Sequence, residues 1–260
     1  MTKQRAAGVL RVALSLLAFV ALGVGYDRDV HTGDAVNFFF YFTDLSNVFG
    51  ACVLLVGGLR GLRGRPGVPE VVRGAAVLYL VITGLVYWAL LANTITAETI
   101  KWQNYIMHAV MPAAILIDWL LLTPAARLGY GRAGRWLAFP LLYLAVSLIR
   151  GPIVTWWPYD FLDPQEPGGY THVATWSVIV TVVFVVFMLA IVFAGNQLGS
   201  RRSGSTPSDA GDSAEPADSD AADSEAASTD AAASTDPAGS AASPGTGAPS
   251  SARSFSKRSA

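Results

Sequence analysis

The sequence predicts an all-α polytopic membrane protein: a bundle of six transmembrane helices with both termini cytoplasmic (N-in/C-in) and a disordered C-terminal tail. Three observations carry this expectation. Six apolar stretches have bilayer length, arginines are sorted between alternate loops, and large apolar residues all but disappear after Gly199. A helix rises ~1.5 Å per residue, so about 20 apolar residues cover the roughly 30 Å hydrocarbon layer. The transmembrane domain is expected over 1–198 and the tail over 199–260.

The first stretch, Ala6 to Val24, follows Lys3 and Arg5 and ends near Gly23 and Gly25, which also suits a secretion signal. Its length exceeds the typical ~7–15 residues of a signal core, so it reads as a retained helix. Phe38 to Leu59, Val72 to Ala92 and Tyr105 to Leu122 follow as the second to fourth spans. Trp136 to Ile149 is the shortest, and the apolar run Pro152 to Trp157 beyond it can extend it. Val173 to Ala194 is the sixth. The single cysteine, Cys52, excludes an intramolecular disulfide and a cysteine metal cluster.

Positive charge resists translocation, so short arginine-rich loops mark the cytoplasmic side. Lys3, Arg5 and Arg11 begin the chain, Arg60, Arg63, Arg65 and Arg73 fill the second connection, and Arg127, Arg132 and Arg135 the fourth. Arg201 and Arg202 follow the last span. The other side carries Arg28, Lys101 and Arg150, with Asp27, Asp29, Asp34, Asp160, Asp163 and Glu166. The formal net charge of −1 hides this polarity. The expected location is the plasma or inner cell membrane. The tail, rich in Ala, Ser, Asp, Gly, Pro and Thr with Phe255 as its one aromatic residue, buries too little apolar surface to offset the entropy of ordering. It reads as a cytoplasmic spacer or a recruiting segment.

Polar side chains inside the spans need partners and face the bundle interior. Thr43, Ser46, Asn47 and Gly50 recur at three- and four-residue steps on one face of the second helix, as do Tyr79, Thr83 and Tyr87 on the third. Asn104, His108 and Pro112 share a face of the fourth, and Tyr143, Ser147 and Arg150 of the fifth. Alternating helix direction puts Thr43, Tyr87, His108, Ser147 and Arg150 in one layer, ~6–9 Å below the outer interface for the first and third of these. A polar pocket in the outer half of the bundle is predicted. Pro112 lacks a backbone N–H and leaves the His108 carbonyl without its helical donor, so the fourth helix is expected to bend there. Asp118 lies ten residues below His108, ~15 Å along the axis, too far to orient it.

Tyr41-Phe42-Thr43 at the opening of the second helix, with Asn104, His108 and Pro112 on the fourth, resembles the multi-pass androgen-induced and androgen-dependent membrane hydrolases and their six-helix bacterial relatives. The likeness covers roughly Phe38 to Ala194. In the animal members a threonine and a histidine at matching places cleave fatty acid esters of hydroxy fatty acids. The resemblance therefore implies that Thr43 is the nucleophile and His108 its general base. Asp44 directly after the threonine and the long acidic, aromatic fifth connection depart from the animal pattern.

A threonine hydroxyl needs an adjacent base to become a nucleophile, and histidine suits that task near neutral pH. Oxyanion donors or other binding groups would come from Asn47, Tyr87, Ser147 or Arg150, and the group orienting the imidazole from Asp44, Asp160 or Asp163. Bland readings stand beside these. Thr43 can back-bond to its own helix, His108 can be an interfacial hydrogen-bonding residue, and Asp44 can pair with Arg150. The connection Gly151 to His172, with Trp156, Trp157, Tyr159, Phe161 and Tyr170, reads as an interfacial anchor or as a lid.

No P-loop, HExxH, paired-cysteine or GxSxG motif occurs. The reading is an intramembrane hydrolase of lipid-like acyl esters. It requires no cofactor or metal, has membrane lipid as its environment and a lipid-like ester as candidate substrate, and binds no nucleic acid. The alternatives are a non-enzymatic protein that binds or transports a small amphiphile, and a membrane scaffold. The oligomeric state is not written in the sequence.

Overall fold

The computed structural model describes residues 3–92, 100–122 and 127–203. Six helices in it are long and apolar enough to cross a membrane: α1 (Gln4–Thr32), α2 (Phe42–Leu62), α3 (Glu70–Leu91), α4 (Lys101–Leu121), α5 (Tyr130–Val154) and α6 (Gly169–Ser200). No strand occurs among the described residues. The protein is thus an all-helical, multi-pass membrane protein. Beyond residue 203, the segment expected to form a disordered tail lies outside the described residues.

The bundle is organised around α3. Its most apolar window is 61% buried, against 17% for that of α5, so α3 is the central post and α5 a peripheral one. Leu78, Leu80 and Ile82 of α3 meet Leu54 of α2, Met111 and Ile115 of α4, and Phe184 and Met188 of α6 in one apolar core. Large apolar side chains also cover the outside. Ile149, Ile153, Val178 and Phe193 are all exposed, which suits a surface solvated by acyl chains rather than water.

Helices α1 and α2 approach closely through small residues. A Cβ on Gly58 would stand 2.8 Å from the Gly8 carbonyl oxygen, so no larger residue fits there without separating the helices. Gly57 and Gly61 have the spacing of a close-contact motif in the sequence, but the tightest contact falls on Gly58. Ser15 Oγ adds a buried hydrogen bond to the Ala51 carbonyl at 2.8 Å, tying α1 to α2 where hydrocarbon offers no competing partner.

Several boundaries differ from the sequence expectation: α4 begins at Lys101 and α6 runs from Gly169 to Ser200, and the shifts in α1, α2 and α5 bear on the site. Helix α1 continues past Val24 to Thr32, carrying Asp27, Arg28, Asp29 and His31 on its last turns. The second span starts at Phe42 rather than Phe38, because Ala35–Phe38 forms a separate one-turn helix. Phe38 packs edge-on against Tyr26 of α1, and Tyr41 adopts an extended conformation that redirects the chain into α2. Helix α5 is longer at both ends than Trp136 to Ile149, running through Pro152 to Val154. It stops at Thr155, a β-branched residue with φ +52°, an uncommon left-handed conformation that reverses the chain. The connection to α6 then folds back over the bundle, with its own Leu162 buried.

At the arginine-rich end an ion cluster joins three helices. Asp118 of α4 accepts from Arg11 Nε at 2.6 Å and Arg11 Nη2 at 3.0 Å, and from Arg73 Nη2 at 3.2 Å. Arg73 also pairs with Glu70 at 2.7 Å and donates to the Leu122 carbonyl at 2.9 Å. Charge counting treats Arg11 and Arg73 as loop charges. In the fold both lie within helices and are spent on Asp118, which also explains why Asp118 is tolerated in an apolar span.

Replacing Asp118 by alanine leaves two part-buried guanidinium groups without their shared carboxylate. The expected loss is about 2–4 kcal/mol, below the full cost for deeply buried pairs because both arginines keep some exposure. Glu70→Ala, which removes a partner from Arg73 alone, should cost less. Thermal unfolding in detergent ranks the two variants, and an equal or reversed order contradicts the central role of Asp118.

Candidate active site

At the opposite end of the bundle, a cleft of about 300 Å³ is lined by Thr43 and Asp44 of α2, Tyr87 of α3, Asn104 and His108 of α4, Arg28 of α1 and Tyr159 of the fifth connection, among others. Its size is at the lower bound of small-ligand sites. Thr43 Oγ1 lies 3.3 Å from His108 Nε2, a hydrogen bond between helices sixty-five residues apart in sequence.

The histidine is held on every side. Its Nδ1 lies 2.9 Å from the Asn104 carbonyl oxygen, which can only accept, so Nδ1 carries the proton and Nε2 presents its lone pair to the Thr43 hydroxyl. Tyr87 stacks on the imidazole with ring centroids 3.8 Å apart and planes 23° from parallel. Asn104 Nδ2 donates to Tyr87 Oη at 2.5 Å, so one residue steadies both rings.

The backbone of α4 makes room for this. Ile106–Val110 forms a π turn, a widened register that is frequent at functional sites, and Pro112 follows two residues after its end. The His108 carbonyl, deprived of a helical donor by Pro112, accepts from Trp88 Nε1 at 3.1 Å. Close approach of α3 permits this. A Cβ on Gly84 would stand 3.0 Å from that same carbonyl and 3.2 Å from the Pro112 ring. The end of α3, Tyr87–Leu91, is itself a π turn, which swings Tyr87 and Trp88 toward α4.

The sequence-predicted site residues divide. Thr43, His108 and Tyr87 meet at the cleft. Asn47 lies one turn below, where its Nδ2 donates to the Thr43 carbonyl at 2.9 Å and the Met107 carbonyl at 3.2 Å, so this amide braces α2 against α4 and has no proton left for a substrate. Ser147 is buried away from the cleft. Arg150 does not pair with Asp44: its Nη2 donates to Asn37 Oδ1 at 2.5 Å, and its guanidinium lies over the Phe40 ring at 3.9 Å and the Trp156 ring at 5.0 Å. Residues near the ends of different elements share a depth without sharing a direction, and depth was all that placed Ser147 and Arg150 at the site. None of Asp44, Asp160 and Asp163 hydrogen-bonds the imidazole, whose orienting partner is the Asn104 carbonyl.

Sequence reasoning missed the role of Tyr159. Its Oη accepts from the Thr43 backbone N–H at 3.3 Å and lies 3.5 Å from Thr43 Oγ1, the oxygen its phenolic proton faces once the threonine proton is given to His108. Phe161 stacks on Tyr159 at 5.1 Å, and Tyr41 meets both Tyr159 and Trp156 edge-on. The aromatic composition of the connection is visible in the sequence, but the reversal at Thr155 that lays it over Thr43 is not. On the other side of Thr43 and Tyr159, a narrow apolar groove of about 70 Å³ runs between α3, α5 and α6, walled by Ile82, Val86, Leu141, Leu144, Val180 and Phe184. Thr43, Leu91 and Tyr159 border both spaces.

Fold and site together define a multi-pass helical membrane protein with a threonine–histidine pair at the wall of a polar cleft. Comparison of the chain with protein-family models, curated proteins and solved structures gives no match.

Burial pushes the Tyr41 phenol up to about 12, with Asp34 adding to the shift, and burial also raises Tyr159 against the opposing effect of its bonds to Thr43. Each folded-state value exceeds the unfolded value of about 10. The resulting stability is fully present below pH ~10 and is lost as pH rises through the folded values. Tyrosinate absorbance at 295 nm should therefore show late-titrating phenols that disappear in Tyr41→Phe and Tyr159→Phe. Unchanged titration in both variants contradicts the burial of these hydroxyls.

Proposed function

We propose that the protein is an intramembrane hydrolase of lipid-like acyl esters. The observation that carries this reading is the Thr43 Oγ1 to His108 Nε2 contact at 3.3 Å, with Nδ1 committed to the Asn104 carbonyl. That arrangement gives a neutral imidazole its basic nitrogen toward the hydroxyl. The resemblance of the Thr43 and His108 segments to multi-pass threonine hydrolases agrees with it.

In the proposed reaction Thr43 Oγ1 attacks the ester carbonyl carbon while His108 Nε2 takes the hydroxyl proton. The tetrahedral intermediate collapses as Nε2–H returns that proton to the departing alcohol oxygen, leaving an acyl-threonine. Water, deprotonated by the same nitrogen, then attacks the acyl carbon; the bond to Oγ1 breaks, Nε2–H returns the proton to Thr43 Oγ1, and the carboxylic acid leaves. The Tyr159 hydroxyl, 3.5 Å from Thr43 Oγ1, is the donor best placed for the oxyanion, because its proton can move from Oγ1 to the adjoining carbonyl oxygen as negative charge develops there. The acyl chain enters by the apolar groove and the alcohol part occupies the polar cleft. With the arginine-rich end on the cytoplasmic side, the cleft faces outward.

A fluorophosphonate probe should label Thr43 in detergent-solubilised protein, and labelling should vanish in Thr43→Ala. His108→Ala should lower ester turnover by about 10²–10⁴-fold, the usual contribution of a positioned general base. Well-folded protein that neither reacts with the probe nor turns over any acyl ester defeats the hydrolase reading and favours a protein that binds or moves an amphiphile. Within an active enzyme, Tyr159→Phe should reduce kcat by ~10²–10³-fold with little change in KM, the signature of a lost oxyanion donor.

A further inference from the structure

Asp44 is the outlier among the carboxylates of the membrane-spanning helices. Asp118 has Arg11 and Arg73, Glu70 has Arg73, and Asp29 accepts from Arg28 at 2.6 Å. Asp44 has no hydrogen-bond or ion-pair partner among the described residues, although it is part-buried and lines the cleft beside Thr43. Arg28 lines the same cleft, but both of its contacting nitrogens are spent on Asp29. Asp44 stands in the first turn of α2, where the positive end of the helix dipole favours a charged carboxylate without occupying its oxygens. A second carboxylate without an ion pair, Asp160, lies exposed on the lining. Tyr41, Tyr87 and Tyr159 complete the walls.

We propose that this cleft recognises an alkylammonium group, with Asp44 as its counter-charge and the tyrosines as aromatic walls. The site rests on the hydrolase reading only for the position of the reacting ester. The cation is then the head of the alcohol portion, placed on the polar side of Thr43. A part-buried carboxyl group that lacks an ion-pair partner of its own gains one from an arriving cation, and tyrosine rings in the lining can add an attraction for the same charge. A carboxylate-bearing head would meet Asp44 and Asp160 as like charges and be disfavoured.

The test uses the full chain in an uncharged maltoside detergent, and binding is followed in Thr43→Ala so that no ester is consumed. Dodecanoylcholine should bind at least ~10-fold more tightly than the dodecanoate ester of 3,3-dimethylbutan-1-ol, its uncharged isostere. Asp44→Asn on that background should erase the difference while leaving the neutral ester within about twofold, and Asp44→Glu should retain most of it. Choline alone should compete if the head is held by itself. A requirement for the dodecanoyl chain instead assigns the occupant to the lipid phase. Equal affinity for the charged and uncharged esters, or equal losses of both in Asp44→Asn, overturns the ammonium site. Should Asp44→Asn fail to fold, the comparison of the two esters and Asp44→Glu decide alone. Ammonium-selective binding without turnover by the parent protein would retain the site and reject the hydrolase. Turnover indifferent to charge would do the reverse.

Discussion

An imidazole inside an apolar helix bundle keeps a fixed place only when both ring nitrogens have partners, and much of the candidate site follows from satisfying that condition at His108. The Asn104 carbonyl occupies Nδ1, the Thr43 hydroxyl occupies Nε2, and Tyr87 covers the ring face. The Asn104 carbonyl lies on the same helix, whereas Thr43 and Tyr87 come from helices that must approach closely enough to supply them. Gly84 brings α3 against the α4 backbone, and Asn47 pins α2 to α4 through two carbonyls. The hydroxyl–imidazole pair is thus a product of helix packing as much as of residue identity.

The two ends of the bundle solve the same electrostatic problem differently. At the arginine-rich end the charges inside the helices answer one another: Asp118 and Glu70 neutralise Arg11 and Arg73, and three helices are drawn together by the result. At the Thr43 end charges and hydroxyls are left with spare capacity. Asp44 has no ion-pair partner among the described residues and the Tyr159 phenol reaches Thr43 Oγ1 only at 3.5 Å, while Trp88 is recruited to quench the one carbonyl that Pro112 exposes. Fully satisfied polar groups hold a structure, whereas partly satisfied ones facing a cleft are available to a ligand.

Much of the site was legible in the sequence because helical spacing alone ranks side chains by face. Thr43 and His108 could be placed on inward faces at one depth, and the donor-less carbonyl of His108 follows from Pro112 without any coordinates. The failures have a common physical origin. Spacing gives the angle of a residue about its own helix but not the rotation of that helix against its neighbours. Arg150 and Ser147 therefore shared the predicted layer yet lie away from the cleft, Arg150 being held by Asn37 and two aromatic rings. Tyr159 was missed for a different reason. It sits on a connection whose course depends on one residue, Thr155, in a conformation its side chain does not favour.

By itself the sequence determined the class of the protein, because hydrocarbon thickness sets how many apolar residues a span needs and the lack of water there forces each span to be helical. It also determined which polar residues could not face lipid. Only the tertiary structure decided which of them meet: the π turns that aim Tyr87 and His108, the carbonyl that selects the imidazole proton, and the reversed connection that brings Tyr159 to Thr43. Those outcomes depend on distances of a few ångströms between helices far apart in the chain, and no local pattern of residues encodes such distances.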